Sequence, residues 1–117
     1  MAVEIPVEPR LENLAKLSAR MDEYAKSQGI KPPRRRELLR ALALAFSAAC
    51  LIGDPRRAAV FSLERKDGEL RLGMRFGGPP GEAPPGLASA LFCPPARRTI
   101  YSHDDGRAAW AAFWEDI

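Results

Sequence analysis

Leu11, Leu14, Leu17, Met21 and Tyr24 recur at spacings of three, three, four and three, the period of one face of a helix. Glu12 with Lys16 and Asp22 with Lys26 form i,i+4 pairs on the wet side. Together they predict an amphipathic helix from about Pro9 to Gln28. Gly29 supplies a left-handed cap, Ile30 is placed to fold back on the last turn, and Pro32 blocks continuation. Residues 1–8 are expected as a flexible N-terminus.

A second helix is predicted from about Arg34 to Ile52, ending by the same left-handed glycine grammar as the first, with Gly53 and then Asp54-Pro55. From Ala41 onward it is apolar on every side, so its distal half is expected at the buried centre, with only the first turn and a half in water. That pattern excludes a helix-turn-helix reader of DNA, whose recognition helix needs a polar face along its length.

Asp67-Gly68 is a strong type I′ turn signal. Pairing Lys66 with Glu69 sets Leu63 opposite Leu72, Phe61 opposite Met74 and Ala59 opposite Phe76 on one face. The other face receives Glu64 with Arg71, Ser62 with Gly73 and Val60 with Arg75. A slip of one residue would destroy the apolar face and the charge pair together.

Residues 77–86 hold four Gly and four Pro in ten positions and predict an irregular loop. Leu87 to Phe92 reads as a short helix and Arg97 to Ser102 as a further strand. Trp110, Phe113, Trp114 and Ile117 fall at i, i+3, i+4 and i+7. They predict a C-terminal amphipathic helix from about Asp104 to Glu115, with Ser102 and Asp105 resembling a capping box. The expected fold is α+β: two N-terminal helices, a small antiparallel sheet with a central β-hairpin, and the C-terminal helix, in one compact domain spanning 1–117.

Composition narrows the class. Apolar residues at 46% and charged residues at 28% fit an ordinary soluble domain. The longest apolar run, Ala41 to Ile52, is twelve residues, short of the roughly 20 that span a membrane. The first residues carry acids and no apolar h-region, so a cytoplasmic protein with no membrane partner is expected. Cys50 and Cys93 then read as buried thiols.

The net charge of +3 is unevenly spread. Residues 31–66 hold nine bases against three acids, and residues 101–117 one base against four acids. Arg34, Arg35, Arg36 and Arg40 crowd the start of the second helix, where positive charge is disfavoured by roughly 0.3–1 kcal/mol per cation. No Ser, Thr, Asp or Asn stands at 31–33 to cap it. The four arginines are therefore the candidate site for an anionic partner. Lys31, Arg56, Arg57, Arg97 and Arg98 are candidate extensions, although Arg56 and Arg57 follow the far end of a helix nearly 30 Å long. Fourteen Arg against four Lys, with nineteen Ala and eleven Pro, also marks a compositional bias that supplies arginine by itself.

Trp110, Phe113 and Trp114 read first as core, and second as a hydrophobic anchor for a partner. His103-Asp104-Asp105 is the one start for metal or acid–base chemistry and lacks the spaced ligands of a closed zinc site. No catalytic residue, metal ligand or cofactor is assigned. The preferred function is a small protein-binding module, an adaptor, inhibitor or chaperone-like protein docking on an acidic protein surface. The alternative is a nucleic-acid-associated regulator gripping phosphates without reading sequence. A second copy of the chain is a further candidate partner, and an enzyme centred on His103 is the third class.

Overall fold

The computed structural model describes residues 2–54, 56–77, 96, 98–104 and 107–115, with the backbone alone for Ile52, Tyr101, His103 and Asp104. Two helices lie on one face of a five-stranded antiparallel sheet. In chain order the elements are β1 (Ala2–Val7), α1 (Leu14–Ser27), α2 (Pro32–Ile52), β2 (Ala59–Lys66), β3 (Glu69–Gly77), β4 (Arg98–Asp104) and β5 (Arg107–Glu115). The sheet order is β1-β2-β3-β5-β4.

The β2–β3 hairpin has the expected register, with Lys66 on Glu69, Leu63 on Leu72, Phe61 on Met74 and Glu64 on Arg71. Asp67 and Gly68 both take positive φ, 53° and 76°, as a type I′ turn requires. α1 begins later than expected, because Leu11–Asn13 form a 3-10 turn. Its buried stripe is Leu17, Met21 and Ala25. Gly29 has a φ of 75°, and the Ile30 amide donates back to the Ala25 carbonyl at 3.1 Å, which closes the helix by the predicted cap. Arg65 on β2 also donates to the Gln28 carbonyl, placing a cation at the negative end of α1.

Three expectations are corrected. Within the stretch expected to be flexible, Ala2–Val7 is an edge strand paired with β2, with Ile5 opposite Phe61. Val3, Ile5 and Val7 alternate with Ala2, Glu4 and Pro6, and Pro6 is tolerated because an edge strand has one free side. The C-terminal helix is replaced by β5, which pairs with both β3 and β4. Ser102 accordingly sits in β4 and caps no helix, while Asp105 lies outside the described residues. Finally, Gly53 ends α2 with φ −77° and ψ 163°, an extended conformation open to any residue. Its glycine answers to space: a Cβ there would collide with the Ala49 carbonyl and stand 3.1 Å from the Phe76 ring.

Of the 77–86 segment only Gly77, the last residue of β3, is described. The short helix expected at Leu87 to Phe92, and Cys93 and Arg97, lie outside the described residues.

The core forms where α1 and α2 meet the sheet. Leu38, Leu42, Ala45, Phe46 and Ala49 of α2 pack with Phe61, Leu63, Leu72, Met74, Trp110 and Trp114. Among the described residues the opposite face of the sheet carries no helix, and one row across all five strands runs from polar Glu4 and Ser62 through small Gly73 and Ala111 to the exposed Ile100.

Candidate functional site

α2 begins two residues earlier than expected, at Pro32, with Lys31 as an N-cap whose side chain makes no capping bond. That shift changes the chemistry of the helix origin. Pro32 and Pro33 have no N–H, and the Arg35 amide donates to the Lys31 carbonyl at 3.0 Å. Of the first three helical residues only Arg34 has an amide to offer. A ready-made cradle of backbone donors for an anion is therefore absent from this helix start.

The arginine cluster divides in two. Arg34 Nη1 meets Glu37 Oε2 at 2.8 Å, and its side chain is 22% exposed. Arg35 Nε meets Asp22 Oδ1 at 3.3 Å with 17% exposure, and Arg35 Nη1 donates to the Ile30 carbonyl at 2.6 Å. These two guanidinium groups fasten α2 to itself and to α1. Arg36 and Arg40, one turn apart, are exposed and have no acceptor among the described residues.

Beyond Arg40 the helix does not sink wholly into the core. Leu44 is 39% exposed and Leu51 is 84% exposed, with half-buried Ser47 between them. Arg36, Arg40, Leu44, Ser47 and Leu51 follow spacings of four, four, three and four, which place them on one outward stripe. The stripe is cationic at its N-terminal end and apolar toward its C-terminal end. Sequence reasoning missed the apolar half because an all-apolar run reads as fully buried. With a sheet on one side and α1 on another, a helix of this layer architecture still keeps a side to solvent.

The other candidates are dispersed. Arg56 and Arg57 follow the far end of α2, where both address Asp54, at 3.2 and 3.9 Å. The Asp54 carboxyl is held below its ordinary pKa, first by the Arg56 backbone N–H and then by the Arg56 side chain. Arg98 stands on the open sheet face, 4.1 Å from the Phe113 ring centre and 3.5 Å from Glu69 Oε1. It joins neither end of α2. Trp110 and Trp114 are 2% and 0% exposed, on the helix-covered face. Phe113 is on the other face, so the three aromatics do not make one anchor.

His103 pairs with Ala108 and Asp104 with Arg107 in the β4–β5 register. Among the described residues no three of His, Cys, Asp and Glu converge as a metal site would require. Cys50 is half-buried and desolvation pushes its thiol up, which disfavours the thiolate a nucleophile needs. Among the described residues no helix is long and apolar enough to cross a membrane.

No family model and no curated protein matches the chain. Among solved structures it resembles the RsbU and RsbW domains of Rv1364c from Mycobacterium tuberculosis, with a TM-score of 0.78 at 15% identity. The match covers 98% of this chain and 32% of that one, so the chain spans about a third of the length of its structural neighbour. Identity this low shows a shared fold alone.

Proposed function

We propose that the chain is a regulatory protein-binding module, working by docking and not by catalysis, whose contact surface is the outward stripe of α2. The partner is an acidic protein offering an amphipathic segment: carboxylates at one end to meet Arg36 and Arg40, apolar side chains at the other to cover Leu44 and Leu51. The fold shared with the RsbU and RsbW domains is compatible with a regulatory role.

The observation that carries this reading is Leu51, 84% exposed and in line with two outward arginines. A single exposed leucine is ordinary. Two on one helical stripe at i and i+7, continuing a pair of outward cations, match the anchor spacing by which a helix face is recognised. Burying a leucine side chain at an interface is worth about 1.5–3 kcal/mol, whereas a rim arginine contributes mainly to encounter rate and orientation. The leucines would hold the partner and the arginines select it.

Affinity purification from the native host, with nuclease treatment, tests this with two double variants, Leu44→Ser/Leu51→Ser and Arg36→Glu/Arg40→Glu. A protein retained by the wild type and lost by both variants, with melting temperatures unchanged, is the expected result. Retention by both variants would remove the stripe from the reading. Loss of all bound material on nuclease treatment would favour phosphate binding by Arg36 and Arg40, whose affinity should fall log-linearly with salt.

A further inference from the structure

A second feature lies apart from the α2 stripe, at the end of the sheet where β3 finishes and β5 begins. A cavity of about 600 Å³ opens there. Its lining includes three arginines from three separate segments: Arg57 from the loop after α2, Arg75 from β3 and Arg107 from β5. Ser102 of β4 adds a hydroxyl, and Val60 and Ala109 give an apolar wall.

The position of Arg57 is built into the fold. The Asp54 amide donates to the Gly77 carbonyl at 2.8 Å, which ties the α2 exit to the end of β3. Arg57 then lies across Gly77 so closely that a Cβ on that glycine would stand 2.6 Å from Arg57 Cδ. Any larger residue at 77 would displace the arginine.

Among the described side chains the charge in the cavity is under-compensated. Arg57 meets Asp54 only at 3.9 Å, and that carboxylate is also engaged by Arg56 through its amide at 2.9 Å and its Nε at 3.2 Å. Arg75 meets Glu4 at 3.3 Å. Arg107 is exposed and has no acceptor among the described residues. Planar guanidinium forks each offer paired donors suited to phosphate oxygens, and three of them around one space match a tetrahedral dianion better than a single carboxylate. The volume lies within the range of small-molecule sites and exceeds what a bare phosphate would fill.

We infer that this cavity binds a phosphate monoester, its phosphoryl group held by Arg57, Arg75 and Arg107 and its organic part laid against Val60 and Ala109. The binding is independent of the α2 docking surface.

Calorimetric titration of the full chain with phenyl phosphate, inorganic phosphate and a neutral phosphoserine peptide tests the inference. Phenyl phosphate should bind saturably at one site and more tightly than inorganic phosphate. Arg107→Gln should weaken it by about tenfold or more, the loss of one charge-assisted contact at a partly solvated site. Arg36→Gln, on the distant α2 stripe, should leave the affinity unchanged. The peptide binding more tightly than phenyl phosphate would name a modified protein side chain as the source, and the reverse order a free metabolite; either supports the site. Absence of saturable binding, unaltered affinity in Arg107→Gln, or equal weakening in Arg36→Gln would overturn it. The last result would show only a diffuse response to net charge. Melting curves of each variant in the absence of ligand separate loss of the site from loss of the fold.

Discussion

The two faces of the sheet are made by the same strands and share nothing else. Along β3, Leu72, Met74 and Phe76 point under the helices while Arg71, Gly73 and Arg75 point away, and the division continues into β5 as Trp110, Ala112 and Trp114 against Ala109, Ala111 and Phe113. Phe61, Leu72 and Trp114 are 0% exposed, whereas Ile100 on the open side is 50% exposed. The covered face holds the fold by excluded water. Among the described residues no helix covers the open face, and its arginines, Arg71 and Arg75 on β3 and Arg98 on β4, meet Glu64, Glu4 and Glu69 and not the core.

The largest expected effect belongs to the covered face. Trp110→Ala removes a buried ring from the centre of β5 and should cost roughly 3–5 kcal/mol, a large part of the 5–15 kcal/mol typical of a whole domain. Urea melts read the loss as a lower midpoint with the slope retained. A shift under about 1 kcal/mol would show that the helices do not seal this face and would erase the contrast between the two sides.

How far the sequence revealed these faces depends on residue size. The β2–β3 hairpin was legible because bulky apolar and charged residues alternate, and because Asp67-Gly68 admits one turn type. β5 was not, since Ala109 and Ala111 on the open side are apolar too and erase the period of two. Trp110 and Trp114, four apart, satisfy a strand and a helix equally, and Phe113 tipped the reading toward a helix. β1 was overlooked because six residues of weak alternation carry little signal. At the candidate site the cation cluster was visible, but Arg35 reaches Asp22 on another helix, a pairing only the packed structure can disclose. Leu51 was hidden inside an apolar run, and the Arg57, Arg75 and Arg107 cavity joins residues up to fifty positions apart.

A smaller effect tests whether the open face is packed at all. A Cβ on Gly73 would stand 2.7 Å from Ser62 Oγ and 3.9 Å from the Trp110 carbonyl. Overpacking of this kind costs about 1–3 kcal/mol, partly offset because glycine weakens a strand interior. Gly73→Ala should therefore destabilise by about 1 kcal/mol, at the low end of that range. Adding Ser62→Ala, which removes the conflicting oxygen, should restore the wild-type midpoint, a coupling that a double-mutant cycle isolates. If Gly73→Ala alone raises stability, the glycine serves no spatial purpose and the open face is looser than its row of small residues implies.

The smallest effect concerns the loop that leads from the covered side to the open one. Asp54 accepts the Arg56 backbone N–H and then its guanidinium, which lowers its folded-state pKa from the ordinary 3.8. A carboxylate depressed in the folded state adds stability above its unfolded value, and that stability is lost as pH falls through the folded value. Wild type and Asp54→Asn should accordingly differ in melting temperature at neutral pH and converge as pH drops below 3.8. A gap that widens toward acid would mean that the unprotonated form is the strained one. The loop would then owe its shape to the tie between the Asp54 amide and the Gly77 carbonyl, and the placement of Arg57 at the rim of the open face would not depend on the Asp54 charge.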